Sequence, residues 1–426
     1  MALAHAVQDE KRRTAEALLG ALALPEDEAI WAREARARAR TRFLDAGAPA
    51  RRDEYWKYTN PAPLIEAEAP AAAPVEVPSP TDPFVGTPAR TAQVVNGHFI
   101  GDTAALAQDG LRVDRLAEAL GQDLNPLRAV FGALEAAGQE KVARPLAALN
   151  TAAAIEGLVL HATGPVAEAV HIRMDKTGDG ATLLRHLIRV EEGASLLVLE
   201  SGTASNTVIE ADLARGATLR HVRLQGPPSR ASATHLFARI GAGARFKTFT
   251  LTADGPLTRN EVVTELAGDG GSAHVAGAVL ARGTTHIDNT VFVTHGAEDC
   301  ESRQVFKNVI GGAARAVFQG KIFVRPVAQR TDGYQISQSV LLEDGAEFNA
   351  KPELEIYADD VKCSHGSTTG ALDRDALFYM MARGVTRAEA EALLIASFVE
   401  EAIAEIEDDA LEEVMRARVA DWMATR

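Results

Sequence analysis

The sequence predicts a mainly β protein, in which a stack of short strands forms the core and helical segments lie at both ends. The first observation is a repeated pair of glycine and a small residue, with successive gaps of 23, 27, 27, 26 and 49 residues, at Gly193, Gly216, Gly243, Gly270, Gly296 and Gly345. The last gap is close to two periods with one marker missing. Self-similarity at a period of roughly 20 to 50 residues is typical of stacked repeats.

The second observation is the pattern between these markers. Polar and apolar residues alternate in runs such as Thr218–Leu224 and Arg245–Leu251, which is the period of a strand with one buried face. No helical pattern of about ten residues, of the kind that connects parallel strands in α/β folds, interrupts the segment from Gly157 to Phe348. We therefore favour a β-helix core over residues 151–350, in which each coil pairs with its neighbours. A large antiparallel sandwich is the alternative that periodicity leaves open.

Residues 1–88 are predicted to form an N-terminal helical region that ends in a proline-rich linker. Residues 1 to about 46 are rich in Ala, Glu, Arg and Leu, which favour helix. Trp56 and Tyr58 are two residues apart, so in an extended segment they would share a face and pack against the core. Eight of the 18 prolines fall between Pro61 and Pro88, so we expect irregular backbone and a domain boundary there.

The following segment, residues 89–150, has a mixed pattern. A short strand is predicted at Thr91–Val95, a turn at Asn96–Gly97 and a helical pattern from Leu116 to Leu134. We expect this segment to cap the core.

Residues 351–426 are predicted to begin as a strand and to continue as helices. Polar and apolar residues alternate from Lys351 to Tyr357, and the strand is expected to turn through Gly366 and Gly370. An N-cap, a capping box and an apolar helical stripe follow, at Asp373, Thr386–Glu389 and Ile395–Ile406. A last helix is predicted from Leu411 to about Trp422.

Composition narrows the class of protein. A chain of 426 residues with 46% apolar residues can hold two or three domains with a sizeable core. The formal charge of −15 argues against nucleic acid and against an anionic membrane surface as partners. The first 20 residues lack the apolar core of a signal peptide, and no run of about 18 apolar residues is present. Two cysteines do not make a disulfide framework, so we expect a cytoplasmic protein with reduced thiols.

Two candidate metal ligands, Cys363 and His365, lie two residues apart in the predicted strand. They should therefore point to the same side, and thiolate and neutral imidazole both bind iron and zinc. They are only part of a ligand set, because a closed site needs about four ligands and the other cysteine, Cys300, lies among acidic residues that disfavour its thiolate. The residues alone leave open whether the pair binds metal or is a structural strand end.

The search for catalytic motifs favours a non-catalytic protein. The sequence has no GxxxxGK[ST] phosphate loop, no HExxH zinc motif and no GxSxG nucleophile elbow. We select no catalytic and no cofactor-binding residue, and any ATPase activity is expected in a partner.

Three stretches of the sequence resemble a known family. The run YADDVKCSHGSTTGALDRDALFYMMARG near the C-terminus resembles the signature of the SufB/SufD family, whose members are subunits of the SufBCD complex for iron–sulfur cluster assembly. Its KCSHG form is similar to the SufD-type members. The box from Asp53 to Thr59 and the segment Leu149–Ala152 are further matches, and Tyr55 and Asn60 differ from the residues more often found beside the box.

The resemblance implies a fold and a function. The fold would be a right-handed parallel β-helix, and the chain would be a scaffold that pairs with a SufB-like subunit through the end strands and with the SufC ATPase through the C-terminal helices. A transient iron–sulfur cluster would be shared with SufB, and none would be tightly bound by this chain alone. The matching ligand is His365, and Cys363 is the less certain one. We take the helix from Thr386 to Glu407 as the candidate SufC contact, with the acidic edge of Glu400, Glu401, Glu405 and Glu407 facing solvent or partner.

Two other functions are kept as alternatives. One is a β-helix enzyme acting on acidic carbohydrate, with acidic and basic residues converging in a groove, such as Asp359, Asp360, Arg303 and Lys321. The other is a homodimeric assembly module without a metal role, in which the end strand pairs with its own copy.

Overall fold

The computed structural model of the chain describes residues 2–25, 27–74, 82–123, 126–140, 142–227 and 230–425. Strands dominate these residues. In chain order their bounds are β1 Ala89–Val95, β2 His98–Ile100, β3 Leu111–Arg115, β4 Leu158–Ala162, β5 Ala169–Asp175, β6 Leu183–Val190, β7 Ser195–Gly202, β8 Asn206–Leu213, β9 Thr218–Gln225, β10 Ala231–Ile240, β11 Arg245–Ala253, β12 Leu257–Leu266, β13 Ser272–Ala281, β14 His286–His295, β15 Glu301–Ile310, β16 Arg315–Val324, β17 Thr331–Leu341, β18 Glu347–Ile356 and β19 Val361–Gly370.

Helices flank the strands at both ends of the chain. The α-helices are α1 Ala2–Ala21, α2 Ile30–Ala46, α3 Leu116–Leu120, α4 Ala133–Gly138, α5 Pro145–Ala153, α6 Arg374–Met381, α7 Arg387–Ile403 and α8 Asp409–Ala424. Short 3-10 helices lie at Glu54–Trp56, Ala62–Leu64, Thr103–Ala105, Pro126–Ala129 and Ala404–Ile406.

The strands form two sheets that wind into a parallel β-helix. Sheet I has ten strands in the order β19-β17-β15-β13-β11-β9-β7-β5-β1-β2, and sheet II has nine in the order β18-β16-β14-β12-β10-β8-β6-β4-β3. From β4 onward, successive strands alternate between the sheets, so each coil gives one strand to each sheet, and the coils pair in parallel. Antiparallel pairs occur only at the start of the stack, between β1 and β2 and between β3 and β4, among the residues described. The predicted mainly β fold is confirmed, and the sandwich alternative is wrong.

The lumen between the sheets holds the main core. Alternate residues of each strand point inward and stack coil upon coil, as Leu196, Leu219 and Phe246 do on sheet I. Across the lumen, Ile209, Leu236 and Val291 of sheet II belong to the same cluster. Burial of these columns supplies the hydrophobic stabilisation of the solenoid.

The corners that lead from sheet II to sheet I explain the glycine repeat. One residue in each corner has a positive φ and donates its backbone N–H to a carbonyl of the next coil; these residues are Gly193, Gly216, Gly243, Gly270, Asp299 and Arg330. Glycine adopts this left-handed conformation without strain, which is why it recurs at the period of the coil.

Two of the six markers do not fit this explanation. Gly296 begins its corner, and Asp299 takes the left-handed position with φ of 56°. Gly345 lies in the opposite corner, between β17 and β18, so it is not a marker of the same kind as the others. The equivalent residue is Arg330, whose φ is 57° and whose guanidinium pairs with Asp299.

The N-terminal part of the chain covers the outer face of sheet II. Trp31 of α2 and Phe131 pack in one cluster with Val208 and Phe237 of the sheet. The expected extended segment at Trp56 and Tyr58 is wrong, because the chain forms a 3-10 turn there and only Trp56 is buried. Of the proline-rich linker, residues 75–81 lie outside the described residues.

The segment before the core is only partly as expected. Its first strand begins at Ala89, and the Asn96–Gly97 turn joins β1 to β2 with φ values of 53° and 80°. The helical pattern from Leu116 to Leu134 does not form one helix, because α3 ends at Leu120, ahead of Gly121 and Pro126, and glycine and proline are the poorest helix formers.

The C-terminal helices cover the outer face of sheet I. The apolar stripe of α7, with Ile395 and Val399 fully buried, packs on Phe249 and Val305 of the sheet, and Trp422 of α8 joins the same cluster. The predicted helix signals are confirmed: Asp373 accepts backbone N–H groups at the start of α6, and Thr386 with Glu389 forms a capping box.

Candidate functional site

The last coil of the β-helix, formed by β18 and β19, carries the candidate ligands. The segment from Lys351 was expected to continue as one strand to His365, but it divides at a corner over residues 357–360, and the two strands lie in different sheets. The turn expected at Gly366 is also wrong, because β19 stays extended to Gly370, with Gly366 in register with Ile336 of β17. Both strands are sheet edges within the described chain, and most of their side chains are half-buried or exposed.

Cys363 lies on the lumen side of β19. It is in register with Gly333 of β17, where an added Cβ would lie 3.2 Å from Sγ, and it packs on the cluster of Ile322 and Val324. His365 is two residues further along the same strand and so belongs to the same face, with its Cα about 7 Å away. Its side chain is exposed. The structure therefore brings the two sequence-predicted residues to one face at the open end of the lumen.

The pKa of both thiols is raised, but the two thiols differ in their exposure to solvent. Burial raises the pKa of the Cys363 thiol, Asp332 adds to the effect, and a hydrogen bond from the Gly333 backbone opposes it. Binding of a metal by Cys363 must therefore displace a proton. Cys300 is fully buried, and burial is the first cause of its raised pKa, ahead of Asp269 and Asp299. The acidic neighbours, which were expected to disfavour the thiolate, are a secondary cause.

Beneath the last coil, the lumen of sheet I becomes polar. Gln335 of β17 is in register with His365, and Gln304 of β15 is in register with Gln335. Both glutamines are buried, and neither amide has a hydrogen-bond partner; the Ser337 hydroxyl is likewise buried without a partner. These residues were not predicted from the sequence. The signal that could have found them is the period-two polar set Gln335, Ser337 and Ser339 on the buried side of a core strand.

The box near the N-terminus supports the other strand of the last coil. Tyr55 Oη donates a 2.6 Å hydrogen bond to Glu353 of β18, and Lys351 Nζ lies 4.1 Å from the centroid of the Tyr55 ring and 2.8 Å from Glu54. Trp56 lies against the buried Arg259 guanidinium, 4.2 Å from the ring centroid. The box therefore fixes the position of β18 against the body of the β-helix.

A second polar group lies deep in the lumen, several coils away. Glu200 is fully buried beside His221, at 3.0 Å, and Arg223, at 3.7 Å. Burial opposes ionisation of Glu200, but Arg223 and His221 outweigh it and lower the pKa of this carboxyl to about 2. His186 faces the same space, and burial lowers its pKa to about 4. The Glu200 carboxylate therefore neutralises the charge of the buried Arg223 guanidinium.

The residues of the alternative carbohydrate enzyme do not converge. Arg303 lies on the outer face of sheet I and pairs with Glu301, whereas Lys321 lies on the outer face of sheet II and pairs with Glu355. Since the two cations are on opposite sides of the solenoid, they do not line one groove.

The C-terminal helices form a second surface of interest. A groove of about 1020 Å³ lies between α7 and α8, lined by Leu393, Ala396 and Met423 among others, and 56% of Leu393 is exposed. The expected acidic edge is largely engaged within the chain. Its residues pair with cations of α8, β15 and β11, in the pairs Glu400–Arg416, Glu401–Lys307 and Glu407–Lys247.

Two further observations concern the described residues as a whole. They contain no group of three or more His, Cys, Asp or Glu side chains arranged to hold a metal ion. None of their helices is long and apolar enough to cross a membrane.

Comparison with known proteins gives the family. The family described as "SUF system FeS cluster assembly, SufBD core domain" matches residues 172–398, which is more than half of the chain. The chain is 28% identical over 407 residues to the iron–sulfur cluster assembly protein SufD of Escherichia coli, covering 88% of this chain and 90% of the relative. A SufBD family protein of Synechocystis is 28% identical over 397 residues, with 84% of each chain covered. SufD of Bacillus subtilis is 30% identical over 149 residues, 35% of this chain and 34% of the relative. Together with the parallel β-helix, the match of the core establishes that this chain belongs to the SufBD family of iron–sulfur cluster assembly proteins.

Proposed function

We propose that the chain is a SufD-type scaffold subunit that contributes His365 to a nascent iron–sulfur cluster at an interface with a SufB-like subunit. The observation that carries the proposal is the last coil, where the edge strand β19 presents His365 and Cys363 on the lumen side of an open end. The chain itself would have no catalytic role, and the cluster is the substrate of assembly. Both cysteines are free thiols, which fits the reducing cytoplasm that we propose as its compartment.

The ligand count points to a shared site. His365 and Cys363 offer at most two donors, and a tetrahedral metal needs about four, so other ligands must come from a partner. Because the Cys363 thiol packs inward and its pKa is raised, His365 is the ligand that this chain offers most readily. Few ligands from each side suit a cluster that must leave after assembly.

The edge strands provide the means of association. An unpaired edge exposes backbone N–H and C=O groups that can pair with a strand of another chain. Pairing of β18 and β19 with the end strands of a SufB-like β-helix would join the two lumens and close the site over His365. Pairing of this edge with a second copy of the chain is the alternative outcome.

The C-terminal helices are the proposed contact for the SufC ATPase. The groove between α7 and α8 is mainly apolar, with Leu393 exposed at its rim, and its lining includes Ile403 and Val419 of the cluster that packs on sheet I. ATP hydrolysis would take place in that partner.

Co-expression with SufB-like and SufC-like partners tests the proposal. His365→Ala is compared with wild type and with Ser367→Ala, a control at the next inward position of β19. After anaerobic purification we expect all three to form the complex and only His365→Ala to lose the absorbance and iron of the cluster. Failure of the wild-type chain to form a complex would overturn the partner assignment, and normal cluster formation by His365→Ala would overturn the ligand assignment.

A further inference from the structure

Gln335 occupies a special position below the candidate ligand. Along sheet I, the lumen-facing column runs from Val275 through Gln304 and Gln335 to His365. Neighbouring strands are about 4.8 Å apart, so Gln335 lies directly under the position of His365 in the stack. At the open end of the stack the column therefore consists of two amides and an imidazole.

The amide of Gln335 has lost water without gaining a partner. Only 1% of the residue is exposed, and neither Oε1 nor Nε2 makes a hydrogen bond. A buried polar group left unpaired costs about 1 to 3 kcal/mol, so such a group calls for a specific explanation.

The opposite wall is shaped to admit this amide. Gly320 of β16 faces Gln335 across the lumen, and a Cβ added to Gly320 would lie 2.5 Å from Oε1 and 2.7 Å from Nε2. Any other residue at position 320 would displace the amide. The Gln335 amide therefore occupies the space above Gly320, although it makes no hydrogen bond in the isolated chain.

We propose that Gln335 is a positioning residue for His365: its Oε1 accepts a hydrogen bond from one ring N–H of His365, which directs the other ring nitrogen to the mouth of the lumen. This inference rests on the proposed role of His365. In the isolated chain the His365 side chain is exposed, so the bond forms when a partner covers the last coil and the ring turns inward. Metal-binding histidines generally donate their second N–H to such an acceptor, which fixes both tautomer and orientation.

The test uses substitutions that separate the acceptor from other properties of the side chain. Gln335→Met keeps length and removes both polar groups, whereas Gln335→Glu keeps an acceptor. Gln304→Met is the matched control, because Gln304 is in the same column, is equally buried and also lacks partners, but is two strands from His365. Each variant is purified in complex with the SufB-like and SufC-like partners.

Two readouts report on the His365 ring. In the cluster-free complex, modification of His365 by diethyl pyrocarbonate is followed by mass spectrometry; we expect Gln335→Met to be about fivefold faster than wild type, the effect of losing one hydrogen bond. In the loaded and reduced complex, pulsed electron paramagnetic resonance with ¹⁵N-histidine in this chain should show the nitrogen coupling weakened in Gln335→Met. Gln335→Glu and Gln304→Met should resemble wild type in both.

The outcomes distinguish this inference from the function on which it rests. Equal behaviour of Gln335→Met and Gln304→Met, or a defect in Gln335→Glu as large as that of Gln335→Met, would overturn the positioning role while His365→Ala still lost its cluster. Normal loading of His365→Ala would instead overturn the ligand role, whatever the Gln335 variants did.

Discussion

Tyr55 Oη donates a 2.6 Å hydrogen bond to Oε2 of Glu353, linking the box near the N-terminus to the edge strand β18. Burial, followed by the bond to Glu353, raises the pKa of the phenol well above its usual range, so Tyr55 remains a donor at any physiological pH. Lys351 lies over the same ring and pairs with Glu54. The last coil is thus fixed by a segment about 300 residues away in sequence.

We predict that Tyr55→Phe loosens the last coil. A hydrogen bond to a charged group contributes about 1.5 to 3 kcal/mol, and its loss should raise hydrogen exchange in β18 more than in the coils beneath. Tyr357→Phe is the control, because Tyr357 donates a bond of 2.8 Å to Glu355 on the exposed surface, where little effect is expected. Equal hydrogen exchange of β18 in the two variants would show that the bond from Tyr55 to Glu353 does not fix the position of this strand.

The sequence predicted the features that depend on local periodicity. The glycine repeat indicated a coiled stack because the left-handed corner recurs once per coil, and the capping box at Thr386 was evident because its two residues are close in sequence. Alternation in β19 was enough to place Cys363 and His365 on one face. The periodicity favoured a β-helix but left an antiparallel sandwich open, and the resemblance implied the β-helix.

The remaining features depend on pairing between distant residues. Two coils have Asp299 and Arg330 in the left-handed position in place of glycine, so the glycine repeat does not mark these two corners in the sequence. The bond from Tyr55 to Glu353 could not be derived from either local sequence. Likewise, Gln335 becomes informative only when parallel register places it below His365.

Gly270→Ala should test the corner geometry. Gly270 has φ of 69° and open space around its missing Cβ, so the substitution acts through backbone strain alone. We expect a loss of about 1 kcal/mol in the free energy of unfolding, measured by chemical denaturation. Gly366→Ala should be close to neutral, since an added Cβ meets only Ile336, at 3.9 Å, and the residue has no positive φ. Similar losses for both variants would argue against the corner explanation.

Glu200→Gln should be strongly destabilising. The substitution keeps the shape of the side chain but leaves the buried Arg223 without a counter-charge. We therefore expect the free energy of unfolding, measured by chemical denaturation, to fall by about 3 kcal/mol. Glu301→Gln, which removes an exposed partner of Arg303, should change stability by less than about 1 kcal/mol. If the two variants were equally stable, Glu200 would not be the counter-charge that stabilises the buried Arg223.

Stability should fall in mild acid because of two buried histidines. Burial lowers the pKa of His186 and of His295 from 6.5 to about 4 in each case. Between these values the unfolded chain binds more protons than the folded chain, so the free energy of unfolding decreases as pH falls from about 6.5 to about 4. Each histidine contributes up to about 1.4 kcal/mol per pH unit.

His295→Gln provides the measurement of this effect. The variant loses one titrating group, so its unfolding free energy should depend less steeply on pH between 6.5 and 4.5 than that of wild type. Comparison at pH 8, where the imidazole is neutral in both states, separates the lost bond to Ser302 from the titration. An unchanged slope would show that His295 does not contribute.

The groove between α7 and α8 should be needed for the SufC-like partner. Leu393 is 56% exposed at its rim, and Leu393→Glu would place a charge in an apolar contact without disturbing the buried stripe of α7. We expect at least about tenfold weaker binding of the ATPase subunit, measured with purified proteins, and an unchanged melting temperature. Ile30→Glu, a change of a comparably exposed apolar residue on α2, should leave binding intact. Full binding by Leu393→Glu would show that the ATPase subunit contacts another surface. Loss of binding in both variants would instead indicate a general effect of added negative charge, because the formal net charge of the chain is already −15.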